Sequence, residues 1–583
     1  MTASRLLPID RNTDLVTFTI RVNGEAVSRT VGVLSIVVSK EINRIPTARL
    51  TLADGDAAQS DFALSNQETF VPGNAIEIMA GYHSKEELIF RGVIIRHGIK
   101  IRNTYSQLLV ECKDVAFRMT IGEKSRLFAE STDSAALETI LADYPDLSAT
   151  IEETVVEHQE LVQYQCSDWD FMISRADANG LVCVVSDGTL AVTKPSVSED
   201  AVATTLFGAT ILEFDAEIDA RIQDKQVKTL AWDAASQELT EATAAEPDWT
   251  ETGNLSSSQL ADVTGLASHD YYHTGQLAPD ELQSWADARL LRDRMAQARG
   301  RVKFQGMAAV LPGTVLELAG VGDRLNGKVY VSGVRHELSG GTWVCDAQFG
   351  MDPDWHTRQV DTARPPAEGL LPPIRGLHIG TVSHLEGDPA GENRIQVKFP
   401  TISTTGEGLW ARVATLDAGN ERGTFFLPEI GDEVVVGFLN NDPRFPVVLG
   451  MLNSSRKPPP VTAADENPEK AYVSREKLAL RFNDEKKVIT LETPGGRKVV
   501  LDDNKKKISL TDKSGNTISL SGSGIVIESA GELTIKAKKA IKVEGTMDVS
   551  LKAGTNFKAE GTAGAELSTS AIAVLKGSLV QIN

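Results

Sequence analysis

The sequence predicts a mainly β protein of several domains, and three observations predict it. Short segments that alternate apolar and polar residues, broken by turn signals, fill most of the chain. Two proline-rich joints, Arg364-Pro365-Pro366 to Leu371-Pro372-Pro373 and Lys457-Pro458-Pro459-Pro460, divide it. The C-terminal stretch repeats paired apolar positions at a short interval. A chain of 583 residues also exceeds what one hydrophobic core supports.

Composition narrows the function classes. A net charge of −21 argues against nucleic-acid and anionic-membrane binding, which draw on an excess of Lys and Arg. No apolar run approaches the length of a bilayer span. Residues 1–14 lack the basic region and apolar stretch of a signal peptide. Cys112, Cys166, Cys183 and Cys345 lie far apart, form no CxxC pair and show no clear partner histidine. That usage fits synthesis in a reducing cytoplasm rather than a disulfide scaffold or zinc ribbon.

Residues 1–120 read as a first antiparallel barrel or sandwich. Ala75-Ile76-Glu77-Ile78-Met79 alternates with period two, Leu88-Ile89-Phe90 leads through Gly92 into Val93-Ile94-Ile95, and Leu108-Leu109-Val110 follows suit. Residues 121–204 read as a small α/β insert. Ser131, Thr132 and Asp133 offer N-caps before Ala135-Ala136-Leu137, and Tyr144-Pro145 ends that helix. A second helix starts at Ser167, where Ser167-x-x-Asp170 approximates a capping box with Asp in the usual Glu/Gln position. Trp169, Met172, Ile173 and Ala176 share one face, and Asn179-Gly180 supplies a left-handed stop. A hairpin follows, from Leu181 to Val185 and back through Leu190-Ala191-Val192, with Asp187-Gly188 as its tight turn.

Residues 205–355 return to strands: Arg301-Val302-Lys303-Phe304, Val315-Leu316-Glu317-Leu318, Lys328-Val329-Tyr330-Val331 and Trp343-Val344-Cys345. An Ala/Ser/Thr/Glu-rich stretch at 236–252 reads as a mobile loop, and a helix over 281–299 is expected to stop at Gly300. Strands, insert, strands: this order points to two related barrels flanking the insert. Linkers at 356–375 and 456–485 bracket a module at 376–455 with five expected strands. They are Ile395-Gln396-Val397-Lys398-Phe399, Leu409-Trp410-Ala411-Arg412-Val413, Gly423-Thr424-Phe425-Phe426-Leu427, Val434-Val435-Val436-Gly437-Phe438 and Val447-Val448-Leu449-Gly450. Five short strands with glycine punctuation suit an OB-fold barrel.

Residues 486–583 form a ladder. Apolar pairs fall at Ile489/Leu491, Val499/Leu501, Ile508/Leu510 and Ile518/Leu520. The interval then tightens to about eight residues through Ile525/Ile527, Leu533/Ile535, Ile541/Val543, Val549/Leu551, Phe557/Ala559 and Ala565/Leu567. Ile572/Val574 and Val580/Ile582 continue it after a one-residue slip. Two buried side chains give back less free energy than ordering the backbone of a whole repeat costs. A repeat this short supplies one strand and one corner, so one chain cannot close a coil. Three chains wound together complete each turn, cover the apolar stripe and pair the strand edges. The expectation is an obligate homotrimer with an intertwined β-helix. Its seam comprises Ile525, Ile527, Leu533, Ile535, Ile541, Val543, Val549, Leu551, Phe557, Leu567, Ile572 and Val574, and Leu579, Val580, Ile582 and Asn583 form a blunt end for a tip partner.

The chain resembles VgrG-type spike proteins of contractile injection systems. The resemblance rests on Ser167-Asp168-Trp169-Asp170-Phe171 through Arg175 and Gly180, on Phe304-Gln305-Gly306 with Pro312-Gly313, and on Val331-Ser332-Gly333-Val334-Arg335-His336. Arg394-Ile395-Gln396-Val397-Lys398-Phe399-Pro400, Trp410-Ala411-Arg412-Val413 and Pro428-Glu429-Ile430-Gly431-Asp432-Glu433-Val434 carry it through the barrel. Leu416-Asp417-Ala418-Gly419 looks closest to the phage-like, extracellular or cell-anchored branch. The resemblance implies tandem tube-like hub barrels at 1–120 and 205–355, three chains of which make a pseudo-sixfold ring on a hexameric inner tube. It also implies synthesis in a bacterial cytoplasm, baseplate wedge proteins around the axis, a PAAR-type tip protein, effector cargo and transient contact with a target membrane, within a phage tail-like particle.

Motifs that could carry chemistry are few. Gly322-Asp323-Arg324-Leu325-Asn326-Gly327-Lys328-Val329 matches a Walker A loop except that Val329 replaces Ser/Thr, but Asn326-Gly327 joins two β-runs and reads as a hairpin turn. His269 and His273 have a helical metal-ligand spacing, yet Gly265, Asp270 and Gly275 suggest a loop. Trp169 and Trp410 read as core anchors, and His336 as packing beside a strand. No GxSxG elbow is present. The connector at 456–485 is too short for a lysozyme domain, and the sequence leaves no room after the last repeat for a fused effector. Lys536, Lys538, Lys539 and Lys542 set a modest basic bias against the acidic body. The leading expectation is a non-enzymatic, cofactor-free trimeric spike and baseplate hub that punctures an envelope for effector delivery. A phage-type tailspike with polysaccharide-degrading activity is the alternative, and a secreted adhesin is disfavoured by the missing export signal.

Overall fold

The computed structural model describes residues 15–582, and it divides at Pro372/Pro373 into two units. The first unit is organised by one sheet of thirteen strands, antiparallel except where Ala203–Leu206 runs parallel to Val315–Ala319. Its first half contains Val16–Val22, Val33–Glu41, Thr47–Ala53, Ala75–Tyr82, Lys85–Arg102 and Tyr105–Lys113. Its second half contains Glu213–Ile218, Ala298–Gln305, Val315–Ala319, Gly327–Ser339 and Thr342–Phe349. The halves are stitched where Gly327–Ser339 runs antiparallel to Val33–Glu41, from Gly333 opposite Glu41 to Ser339 opposite Ser35. The sequence separates the halves, but the hydrogen-bond ladder runs through both. Two cores form: Ile36, Leu50, Ile78, Phe90 and Val110 pack with Leu338 and Trp343 of the second half in one, and Val302, Phe304, Leu316, Val331 and Phe349 make the other.

The insert follows its local signals. Helix α1, Asp133–Leu141, is capped by Thr132, whose hydroxyl accepts from Ala135 N. Helix α2, Asp168–Ala178, is capped by Ser167 accepting from Asp170 N. Asp170 does not complete the capping box; its carboxylate takes the Ser167 hydroxyl and the His356 ring instead. Val182–Ser186 and Thr189–Thr193 pair around Asp187 and Gly188, both at positive φ as a type I′ turn requires. Leu137, Ile140, Trp169, Met172 and Ile173 form the insert's core.

Three expectations in 205–355 change. The stretch 236–252 is partly strand: Glu238–Thr243 pairs with Val227–Asp233, with Leu239 opposite Trp232. The helix over 281–299 is Pro279–Met295, and Ala298–Gln305 is drawn into the large sheet. Gly300 is therefore not a helix stop. It lies opposite Ala216, where an added Cβ would come within 2.3 Å of the Asp215 carbonyl. The start of the linker at 356–375 is not free chain either. Arg289 and Arg292 donate to the carbonyls of Pro353 and Asp354, and the His356 amide donates to Asp177.

The second unit begins with a closed barrel of five strands: His378–His384, Ile395–Lys398, Leu409–Val413, Glu433–Phe438 and Pro446–Met451. Val382, Ile395, Val397, Ala411, Val434, Val436 and Val448 fill it. The first barrel strand is hard to recognise in the sequence because Gly380 and Ser383 thin its apolar pattern. Gly380 is required there, since a Cβ would meet Val397 Cγ1 at 2.3 Å. The expected strand at 423–427 is not a barrel strand. Ala418–Gly419 and Arg422–Gly423 form a two-residue-deep hairpin on an arm outside the barrel, and Phe425 is 80% exposed. The region 456–485 contains two strands, Glu469–Val473 and Ala479–Asn483, which open the C-terminal ladder.

Candidate trimerisation interface

From Glu469 the chain folds as an antiparallel meander of seven strands: Glu469–Val473, Ala479–Asn483, Val488–Glu492, Lys498–Asp502, Lys507–Thr511, Thr517–Ser521 and Gly524–Glu528. Turn chemistry sets the spacing. The Asp-Glu-Lys-Lys and Asp-Asn-Lys-Lys loops each end on a left-handed lysine, Lys487 (φ 51°) and Lys506 (φ 48°). The following loops place Gly496 and Gly515 at positive φ. Asp512 accepts the amides of Ser514 and Asn516 at 2.9 Å, and the Asn516 side chain donates to its other oxygen at 2.8 Å. These hydrogen bonds hold the Asp512 carboxyl below its usual range.

The register sorts the side chains onto two faces. Ile489, Leu501, Ile508, Leu520 and Ile525 stack strand to strand as one column, and Leu491, Val499, Leu510, Ile518 and Ile527 as a second. The other face carries Thr490, Val500, Ser509 and Ser519, flanked by the Lys498–Glu492 ion pair at 2.8 Å. The sheet is thus apolar on one side and largely polar on the other, yet the apolar side is uncovered: Leu491 is 49% and Ile525 69% exposed. Phe482 and Leu480 begin the two columns, and Tyr472 lies opposite Leu480. Along the second column runs a trough of about 940 Å³, closed at one end by Phe426, whose ring packs tilted against Tyr472 with centroids 4.5 Å apart.

Beyond Ser529 the backbone repeats without a strand partner among the described residues. Two-residue bends fall at 530–531, 538–539, 546–547, 554–555, 562–563, 570–571 and 578–579, a spacing of eight throughout. Leu533/Ile535, Ile541/Val543, Val549/Leu551 and Phe557/Ala559 hold one phase to these bends, as does Ala565/Leu567. The bends do not make the slip read from the sequence. Ala573 and Leu575 fall in the phase of the earlier pairs, while Ile572 and Val574 fall one step out of it. Leu579 sits on the last bend, Val580 and Ile582 follow it, and Asn583 lies outside the described residues. Sequence reasoning missed Tyr472, Leu480, Phe482 and Phe426. The alternation Ala479-Leu480-Arg481-Phe482 carried the signal for two of them; Phe426 carried none, because its contact partner is distant in sequence.

Other chemistry resolves into structure. Residues 322–327 form the expected hairpin turn, with Asn326 Oδ1 accepting from Val321 N and Leu318 opposite Gly327. His269 and His273 lie on a strand, His269 held by Asp224 at 2.9 Å and His273 by the Gly275 carbonyl. Among the described residues no group of three His, Cys, Asp or Glu could hold a metal ion. Trp169 is buried in the insert core and Trp410 is half-buried. Cys345 does have a histidine partner, contrary to expectation: His336 Nδ1 is 3.0 Å from its sulfur. Both are fully buried, and burial pushes the thiol up to about 12 and the imidazole down to about 3, so the pair stays neutral and unreactive. No helix among the described residues is long and apolar enough to cross a membrane.

A closed five-strand barrel at 378–452 matches the type VI secretion system/phage-baseplate injector OB domain, and residues 488–583 match the phage baseplate V C-terminal trimerisation domain. That order of modules, an injector OB domain followed by a trimerisation domain, makes the chain similar to VgrG-type spike proteins. Residues 12–340, more than half of the chain, match the family described as the Alg8 N-terminal domain, and the chain belongs to that family. Among curated proteins, the type VI secretion system spike protein VgrG3 of Vibrio cholerae is 33% identical over 18% of this chain and 10% of its own length. The actin cross-linking toxin VgrG1 of Vibrio cholerae is 22% identical over 59% of this chain and 33% of its own. The chain thus spans a third or less of these two relatives. Among solved structures, a tail protein from Neisseria meningitidis covers 59% of this chain and 98% of its own, at 16% identity and a TM-score of 0.43.

Proposed function

We propose that three copies of this chain join through the C-terminal ladder to make the central spike and baseplate hub of a contractile injection system. The apolar columns, with Ile525 and Ile527 at their end, then Leu533, Ile535, Ile541, Val543, Val549, Leu551, Phe557 and Leu567, turn toward the shared axis. Leu575 continues them by backbone phase, with Ile572 and Val574 as the competing pair. The hub halves seat on a hexameric inner tube, wedge proteins surround them, and Leu579, Val580, Ile582 and Asn583 receive a PAAR-type tip. The role is mechanical rather than enzymatic: dense strand pairing around a dry seam carries axial load through a target envelope, with effector cargo travelling with the spike.

The observation that carries this reading is a regular sheet whose apolar face is largely uncovered, running into a strict eight-residue array with no strand partner among the described residues. Edges and faces of this kind demand another chain. Light scattering on the purified protein is expected to give three times the 62.8 kDa chain mass at every concentration tested. Ile541→Asp places three carboxylates in the seam, each without a partner, and is expected to abolish the trimer. A variant that assembled and melted like the parent would sink the seam.

A further inference from the structure

We infer that the arm at 414–430 is an aromatic clasp between copies: Phe426 seats on its own ladder, and Phe425 covers the start of a second copy's first apolar column, at Phe482. This rests on the trimeric reading above. The arm leaves the barrel after Leu409–Val413 and is turned back by the small hairpin, where Arg422 pairs with Asp417 at 2.7 Å and Thr424 N donates to Asp417 O at 2.9 Å. It is fastened to the ladder of its own chain by the tilted Phe426–Tyr472 ring contact and by Arg475, which donates to Glu429 at 2.8 Å.

So held, the arm displays Phe425 at 80% exposure, with Leu416 at 96%. A large aromatic ring fixed in water on a braced arm marks a contact surface. The occupant follows from continuity. Phe426 closes the trough whose walls include Leu491, Leu510 and Ile527, and those residues lie within the stretch that matches a trimerisation domain. The interface therefore extends upward past residue 488 to Tyr472, Leu480 and the arm. The second column begins under the arm's own Phe426, whereas the first column begins at Phe482, 40% exposed. That is the surface within the same interface that a neighbouring arm can cover.

The test uses the full chain with p-benzoylphenylalanine in place of Phe425. Irradiation is expected to give covalent dimers and trimers, with the cross-link mapping to residues 474–492. Replacing Phe18, on the other unit, is expected to give no such link. Phe425→Ala is expected to speed subunit exchange between differently labelled trimers at least tenfold, and Phe425→Trp to restore the slow rate. A protein that is trimeric by mass yet links only within one chain, links elsewhere, or exchanges at the parental rate in Phe425→Ala overturns the clasp and leaves the trimer standing. A protein that is monomeric by mass overturns both.

Discussion

Lys40 is 1% exposed, yet its ammonium is not stranded. Its Nζ donates to Asp187 Oδ2 at 2.7 Å and to Ser186 Oγ at 2.9 Å, while Asp187 Oδ1 accepts from Arg91 N. One ion pair thus ties the large sheet to the turn of the insert's hairpin. A buried pair of this kind is weak evidence of net stability, but breaking it leaves a charge without its partner. Lys40→Met is expected to cost about 3–5 kcal/mol in the unfolding of the first unit, at the lower end because the Asp187 side chain keeps some solvent. Adding Asp187→Asn should return most of that loss, since Asn tolerates the left-handed turn position. Urea titrations followed by tryptophan fluorescence would report both, and equal losses in single and double variants would refute the ion-pair account. At this scale the sequence is legible where chemistry is local. The Ser167 cap and the Asp187-Gly188 turn could be read because their partners lie within a few residues. Lys40 could not, because its partner lies 147 positions away, nor could the pairing of His336 with Cys345, which is made across two strands.

Elements respond to the same competition between local signal and long-range pairing. The run Ala296-Gln297-Ala298-Arg299 favours helix by propensity, but the sheet offers Ala298–Gln305 a full ladder, and tertiary pairing wins over a weak local preference. The opposite holds in the ladder, where a strict repeat makes the apolar pairs legible from residue spacing alone. What the repeat could not convey was its division into a meander paired within the chain and an array with no strand partner among the described residues. Glycine placement at the bends gives a sharp test of that array. A Cβ on Gly561 would stand 2.2 Å from the Gly564 carbonyl, and one on Gly545 would stand 2.4 Å from the Asp548 carbonyl, whereas a Cβ on Gly564 meets nothing within 4 Å. Gly561→Ala is expected to destabilise the array by about 1–3 kcal/mol per chain, as overpacking against fixed backbone does. Gly564→Ala should be neutral or slightly stabilising through the unfolded chain. Calorimetry on the full-length protein separates them, and indistinguishable melting curves would mean that the bends adopt another geometry in the assembled spike.

Across the whole molecule, charge and hydrophobic burial oppose each other. Residues 486–583 hold fifteen Lys and Arg against ten Asp and Glu, so the remainder carries more than the chain's entire excess of −21. In the proposed trimer three such chains would bring acidic bodies into proximity, and a modestly basic ladder would not neutralise them. Association must then be driven by the apolar columns and strand edges, with electrostatics working against it. The sign of the salt dependence follows. Raising ionic strength from about 0.01 M to about 0.15 M shortens the screening length from about 30 Å to about 8 Å, which weakens body–body repulsion and leaves burial nearly unchanged. Trimer formation on refolding from denaturant, followed by light scattering, is expected to accelerate with added salt. The low-salt trimer, once formed, should still dissociate slowly, because the buried seam rather than the repulsive rim sets its lifetime. Assembly that slowed with salt would show attraction between oppositely charged surfaces leading the encounter, and the ladder would then be a consequence of trimerisation rather than its cause.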